Sequence, residues 1–331
     1  MDKVQICLPV YNGEQHIRET VETLLSQTYE NIEILILDDA SSDGTLEIVQ
    51  ELAATDGRIR IERNTQNQGI LFSRNKLFDL CSERYIALAD ADDLYHERRI
   101  EDQLHYLKQH QLGMVSCAYE AFGERSYKIT PPEYHNDIQA NMLLFNVILN
   151  PGVLLDRTKV SVQHCYVDPE YRGAADYDCW IKLLNKTRVG CVPSSLVKYR
   201  VHAAQESTGN FERQKEAHLR VLAREYRALS LPFNRDALQT LIWPRLYADT
   251  LSLEDFKKLG SFLKGLFAEV DKSQIPAKNT LSFALDIRYK GVARRHGVKG
   301  VLLYLKYAGL KRLLSGRKMG MSFVYDCLFR K

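Results

Sequence analysis

Tyr85-Ile86-Ala87-Leu88-Ala89-Asp90-Ala91-Asp92-Asp93 passes from apolar to acidic within a few residues. Ile86 to Ala89 reads as a buried strand with three carboxylates at its C-terminal mouth. In an open α/β sheet that mouth is where ligands bind. In extended chain Asp90 and Asp92 point the same way and repel each other unless positive charge lies between them. A hard divalent cation such as Mg2+ or Mn2+ meets that need with oxygen ligands. Mg2+ is commonly held by one or two carboxylates plus substrate phosphates, which points to a phosphorylated ligand. The same acidic turn ahead of a helix also serves plain helix capping, so the surrounding chain has to decide.

Outward from this segment, strands and helices alternate. Val4-Gln5-Ile6-Cys7-Leu8-Pro9-Val10 reads as a first strand. Asn12 with Gln15 reads as the N-cap and capping box of a helix carrying Ile17, Val21, Leu24 and Leu25. Ile32 to Leu37 is a second strand that ends in the turn-rich Asp38-Asp39-Ala40-Ser41-Ser42-Asp43-Gly44-Thr45. Ile59 to Glu62 is a third, after which Asn67-Gln68-Gly69 turns into a helix through Leu71, Asn75 and Leu77. Arg98 to His110 reads as a helix and Met114 to Tyr119 as a strand. This alternation predicts βαβ units, right-handed crossovers and a mostly parallel sheet. The polar loops at Tyr11-Asn12, Asp38-Asp39 and Asp90 to Asp93 then open on one sheet edge, the place for a single site. Neither G-x-G-x-x-G nor G-x-x-x-x-G-K-[ST] occurs, which excludes a dinucleotide fingerprint and a P-loop.

Farther on, Asn150-Pro151-Gly152-Val153-Leu154-Leu155 reads as a turn into a strand. Gly173-Ala174-Ala175-Asp176-Tyr177-Asp178 leads a helix with Trp180, Ile181, Leu183 and Leu184; its acidic first turn suits the helix dipole as well as chemistry. Val189 to Val192 and Leu196 to Arg200 read as two short strands, closed by Arg200-Val201-His202. From Phe211 onward the pattern is helical.

The 331 residues suffice for two domains, and a net charge of +3 conceals an asymmetry. Residues 211–331 hold 24 Lys+Arg against 11 Asp+Glu, a balance of +13, which leaves −10 for the first 210. Ile287 to Tyr325 contains ten basic residues and no acidic one. Leu303, Tyr307, Leu310 and Leu314 form a helical stripe there, with Arg295, Lys299 and Lys306 beside it. Such a segment is either a solvated basic face over a small core or a helix on an anionic membrane surface. Seven scattered cysteines without a C-x-x-C pair fit a reducing compartment rather than a zinc site or disulfide framework. No signal peptide is expected ahead of the first strand, and no apolar run has the length of a bilayer span.

Taken together, these pieces resemble a family 2 glycosyltransferase with the GT-A fold. The resemblance rests on Pro9-Val10-Tyr11-Asn12 with Glu14, Asp38-Asp39-Ala40-Ser41 with Asp43-Gly44-Thr45, Asn67-Gln68-Gly69 with Arg74-Asn75, and Asp90-Ala91-Asp92-Asp93. It continues through Ala174-Ala175-Asp176-Tyr177-Asp178-Cys179-Trp180 and Tyr199-Arg200-Val201-His202, with Gln205 and Ser207 after it. It implies a Rossmann-like, mostly parallel α/β sheet flanked by helices over residues 1–207 and a helical, basic extension over 208–331. It implies a nucleotide-sugar donor pocket lined by Pro9, Tyr11, Glu14, Asp39 and Arg74. Asp90 would lie near the ribose, Asp93 toward the donor sugar, and Asp92 with His202 would hold Mn2+ or Mg2+. Asp176 would be the general base of an inverting transfer, with Asp178 the weaker alternative. Ala175 stands where the family usually has Glu.

The expected activity moves a sugar from UDP-GlcNAc, UDP-Gal or UDP-Glc to a hydroxyl of a glycan or lipid-linked acceptor in cell-surface polysaccharide synthesis. The expected location is the cytoplasm, at the inner face of the membrane, with residues 288–318 meeting anionic lipid. A sugar-nucleotide pyrophosphorylase would need Arg or Lys after the first strand, where Tyr11-Asn12-Gly13-Glu14-Gln15-His16 has neither. A non-catalytic carbohydrate or nucleotide binder would lack carboxylates such as Asp92 and Asp176. A nucleic-acid partner is not expected, because no aromatic or groove-reading element accompanies the basic charge.

Overall fold

The computed structural model describes residues 2–202, 210–314 and 323. Gln205, Ser207, the expected boundary between 207 and 208, and residues 315–318 of the basic segment lie outside them. The chain forms two compact units, Met1–Ile138 with Asn146–His218, and Gln139–Phe145 with Leu219–Lys331.

The first unit is built on nine strands: β1 (Val4–Val10), β2 (Ile32–Asp38), β3 (Ile59–Arg63), β4 (Tyr85–Leu88), β5 (Leu94–Tyr95), β6 (Met114–Gly123), β7 (Tyr127–Ile129), β8 (Leu154–Asp156) and β9 (Val189–Val201). They form one sheet in the order β3-β2-β1-β4-β8-β6-β9-β5, with β7 paired to β6. Strands β3, β2, β1 and β4 run parallel, β8 is antiparallel to both neighbours, and β9 runs parallel to β6. Every residue of β1 and β4 is buried, as expected of central strands covered on both faces. Helix α1 (Ile17–Leu25) buries Ile17, Thr20, Val21 and Leu24, one helical stripe. With α2 (Thr45–Thr55), α3 (Ile70–Leu80), α4 (Arg99–Gln109) and α6 (Ala175–Leu184) it completes the α/β layers. The cut between the units falls within helix α5 (His135–Met142), after Ile138.

Three local expectations change. Asn12 does not cap α1, which starts at Ile17 without a side-chain cap. It takes up positive φ (49°), and its Oδ1 accepts a hydrogen bond from the Ser42 amide at 2.9 Å. The two short strands expected at Val189 and Leu196 are one strand. Cys117 faces Val192 while Ala118 faces Ser195, so Pro193 and Ser194 form a bulge that reads as a break in the sequence. Finally, β4 ends at Leu88 and the acidic residues lie on a turn, so Asp90 and Asp92 are not side by side on extended chain.

The second unit is helical: α7 (Phe211–Ala228) leads into it, followed by α8 (Arg235–Ile242), α9 (Pro244–Tyr247), α10 (Leu253–Lys272), α11 (Lys278–Arg294) and α12 (Gly297–Leu314). Its core packs Phe256 against Tyr289 and stacks Tyr289 on Tyr304, with ring centroids 5.3 and 5.4 Å apart. The stripe expected along α12 does not hold. Gly309 breaks the helix at φ 85°, so Tyr304 is buried while Leu310 is 60% exposed. The basic stretch is also partly neutralised from outside itself. Lys290 pairs with Asp286 at 2.8 Å, Arg312 with Asp271 at 3.4 Å, and Arg295 with Asp249. No helix among the described residues is long and apolar enough to cross a membrane.

Candidate active site

The loops after β1 and β2 are sewn together. Asn12 N donates to Ser41 Oγ at 2.9 Å, Gly13 N to Thr45 Oγ1 at 2.8 Å, and Gly44 N to Glu14 Oε2 at 2.7 Å. Glu14 therefore braces the start of α2. Ala40 (φ 61°) joins Asn12 at positive φ, so left-handed backbone sits at the head of each loop. Tyr11, at the end of β1, leaves half its surface exposed. Asp39 is buried and anchored: Oδ1 accepts from Asn64 Nδ2 at 2.6 Å and from Gln68 N at 3.0 Å, and Oδ2 accepts from Gly69 N at 2.7 Å. Oδ1 is filled by two donors, so a ligand N–H would have to approach Oδ2.

The acidic turn after β4 is held from several sides. Thr20 Oγ1 donates to the carbonyls of Ala91 and Asp93 at 3.0 and 2.8 Å. Tyr95 Oη accepts from the Asp90 amide at 2.7 Å. Arg99, wholly buried, donates to the Leu88 carbonyl at 2.7 Å, with its guanidinium over the Tyr95 ring at 4.7 Å. Nothing in the sequence pattern marks these supports, because each joins a side chain to main chain in another element or across the turn.

Each of the three carboxylates then meets a different residue. Arg74 Nη2 lies 3.1 Å from Asp90 Oδ1. Asp92 Oδ2 faces His202 Nε2 at 2.9 Å. Asp93 Oδ1 accepts from the Arg200 amide at 2.8 Å, while Arg200 Nε donates to the Asp92 carbonyl at 2.7 Å and its Nη2 to Glu19 at 2.6 Å. Burial raises the Asp90 carboxyl above its ordinary range against the pull of Arg74. Burial, helped by the charges of Asp92 and Asp90, pushes Asp93 well above that range. Its Oδ2 has no hydrogen-bond partner among the described residues.

No group of three or more His, Cys, Asp or Glu side chains arranged for a metal occurs among the described residues. The partly exposed pair Asp92 and His202 nevertheless fits one. Two cis ligands of an octahedral cation lie about 3 Å apart, and Mg2+ commonly takes its remaining ligands from phosphate and water. His16, which the sequence reading passed over, lies beside this pair, with its ring 5.4 Å from that of His202.

Asp176 opens α6 and enters the same site. Burial raises its carboxyl above the ordinary range, and the Arg74 charge opposes that rise. Its own charge in turn raises Asp90. Arg74 thus sits among carboxylates from the β4 turn and from α6. Beneath it a mainly apolar cavity is lined by Pro9, Ala89, Leu77, Phe78 and Trp180. Asp178, by contrast, is buried on another face and paired with Lys182 at 2.6 Å.

A family model for glycosyl transferase family 2 matches residues 5–155. The chain is 34% identical over 220 residues to the UDP-Glc:alpha-D-GlcNAc-diphosphoundecaprenol beta-1,3-glucosyltransferase WfaP of Escherichia coli, covering 64% of this chain and 82% of that relative. The chain belongs to glycosyl transferase family 2. This glycosyltransferase has the GT-A fold with a helical C-terminal region. S. aureus TarS 1-349, solved with UDP-GlcNAc, superposes with a TM-score of 0.59 at 16% identity, covering 96% of this chain and 91% of that one. The mannosyltransferase PcManGT of Pyrobaculum calidifontis, solved with GDP-Man and Mn2+, superposes with a TM-score of 0.52 at 14% identity, covering 98% and 86%.

Proposed function

We propose that this glycosyltransferase is an inverting, divalent-metal-dependent enzyme. It moves a sugar from UDP-GlcNAc, UDP-Gal or UDP-Glc to a hydroxyl of a glycan or lipid-linked acceptor in cell-surface polysaccharide synthesis. The observation that carries the reading is the meeting of Asp90, Arg74 and Asp176 at the C-terminal edge of the sheet. Pro9, Tyr11, Glu14, Asp39 and Arg74 shape the donor pocket; Asp90 faces the ribose, while Asp93, wholly buried with Oδ1 on the Arg200 amide, steadies the turn on the donor-sugar side. Asp92 and His202 hold Mn2+ or Mg2+, which when bound offsets charge on the departing diphosphate. Asp176 takes the proton of the acceptor hydroxyl as that oxygen bonds to the anomeric carbon and the diphosphate leaves with its electron pair.

The donor choice draws on relatives: WfaP is named for UDP-Glc, and TarS was solved with UDP-GlcNAc. The acceptor choice draws on the diphosphoundecaprenol in WfaP's name. Peripheral membrane contact through 288–318 draws on Val298 and Leu302, exposed one turn apart on α12 with Lys299 and Lys306 on the same helix. Liposome co-sedimentation should be stronger with anionic than with neutral vesicles; equal binding rejects that contact.

Two assays test the core of the reading. A nucleotide-sugar panel with Mn2+, scored for slow hydrolysis without acceptor, should single out a UDP-sugar. Asp176→Asn should cut turnover about a hundredfold or more and leave donor affinity intact. A variant that keeps more than about a tenth of wild-type turnover would falsify the base assignment.

A further inference from the structure

Asp176 needs an oriented carboxylate that stays ionised in a half-buried place. Burial works against the charge. Ala175, its neighbour on α6, brings no polar group. The first turn of α6 supplies two backbone amides, from Asp176 itself and Tyr177. A side chain from elsewhere also bonds the carboxylate: Asn146 Nδ2 donates to Asp176 Oδ2 at 3.1 Å.

Asn146 is itself held. Its Oδ1 accepts from the Ile148 amide at 3.0 Å. The main-chain donor fixes which end of the amide is oxygen, so the NH2 end faces Asp176. Asn146 precedes the turn at Asn150–Gly152 that leads into β8, and is partly buried. A donor locked in this way selects one rotamer of the carboxylate and favours its ionised form.

We infer that Asn146 is the positioning residue of the transfer: it aims the Asp176 carboxylate at the acceptor hydroxyl and keeps it a proton acceptor. This rests on the reading of Asp176 as the base. Arg74 from α3 and Asp90 from the β4 turn also act on this carboxylate, with opposite sign. Asn146 adds a neutral, directional contact that neither charge supplies. The pattern of the sequence could not disclose it, since the contact spans 30 residues and starts from a loop.

The test uses the full chain and two substitutions. Asn146→Ala removes both contacts. Asn146→Asp keeps an oxygen for the Ile148 amide and removes only the donor to Asp176, replacing it with like charge. Both should lower kcat about tenfold or more with donor KM within about twofold. The acidic limb of the kcat profile should move up by about one pH unit in Asn146→Ala and farther in Asn146→Asp. Asn146→Asp with wild-type kcat and an unmoved acidic limb overturns the inference, because the structural role toward Ile148 is kept. Asp176→Asn runs in parallel. If that variant stays active, the base reading fails and takes this inference with it. If it is inactive while both Asn146 variants behave as wild type, the inference alone fails.

Discussion

His202 Nε2 stands 2.9 Å from Asp92 Oδ2, joining the end of β9 to the acidic turn after β4. Without ligand the two side chains satisfy each other as a hydrogen-bonded pair. With a divalent cation they are suited to become neighbouring ligands, so donor and metal binding should be coupled. With Mn2+ present, Asp92→Ala and His202→Ala should each weaken UDP binding about tenfold or more. EDTA should bring the wild type down to the same level. Calorimetry that finds wild-type UDP affinity in Asp92→Ala with Mn2+ present would sink the role of the pair.

Gly69 holds Asp39 in place through a conformation few other residues adopt. At φ 86° and ψ 161° it presents its amide to Asp39 Oδ2 at 2.7 Å. An added Cβ meets no atom within 4 Å, so the cost of Gly69→Ala is backbone strain, about 1–3 kcal/mol, and not a clash. The variant should melt several degrees lower and bind UDP more weakly. Gly57→Ala is the control, since Gly57 has equally open space and no positive φ. If the two variants melt alike, strain at Gly69 is not the cause.

Much of this site was legible because strand ends in a parallel sheet are marked twice, by the end of an apolar run and by the polar residues that follow. Asp39 and Asp90 stand at such ends, whereas Arg74, inside α3, is implied only by the family resemblance. What escaped were contacts between segments distant in the chain. The Asp90–Asp92 geometry was misjudged because strand β4 stops before the acidic residues. Pro193 looked like a strand break where it forms a bulge. In α12 a glycine resets the helical phase, and composition alone does not locate such a break. The charge count over 287–325 overstated the free positive charge because its partners Asp249, Asp271 and Asp286 lie outside that window.

Asp156 gives a pH test of the sheet itself. Burial alone would raise its carboxyl, yet hydrogen bonds from Arg84 and Thr158 outweigh burial and hold it below the ordinary range. Thr158 contributes its hydroxyl at 2.6 Å and its amide at 2.9 Å. A depressed folded value means the stabilisation is full above the unfolded value of about 3.9 and vanishes as pH falls through the folded one. Thr158→Val removes the hydroxyl and should cost about 1 kcal/mol at neutral pH. That deficit should shrink in acid, as pH falls through the depressed folded value and the carboxyl becomes protonated in both proteins. A deficit of equal size at both pH values assigns the loss to packing instead.

Asp286 and Lys290 form a 2.8 Å ion pair with each side chain under 5% exposed, and the Tyr304 hydroxyl donates to the same carboxylate. Lys290 Nζ also donates to the Arg312 carbonyl at 3.3 Å, so the pair ties α11 to α12. A buried pair of this kind owes little to Coulomb attraction alone, because desolvation offsets most of it. Removing one partner is different, since it strands the buried Lys290 charge over the Tyr304 ring. Asp286→Ala should therefore destabilise the helical unit by about 3–5 kcal/mol. The double substitution Asp286→Leu with Lys290→Met removes both charges and should recover most of that loss in a thermal melt. If the single and double variants melt together, the stranded charge is not the cause, and the loss belongs to the Tyr304 hydrogen bond. Tyr304→Phe in the wild-type background then supplies the comparison.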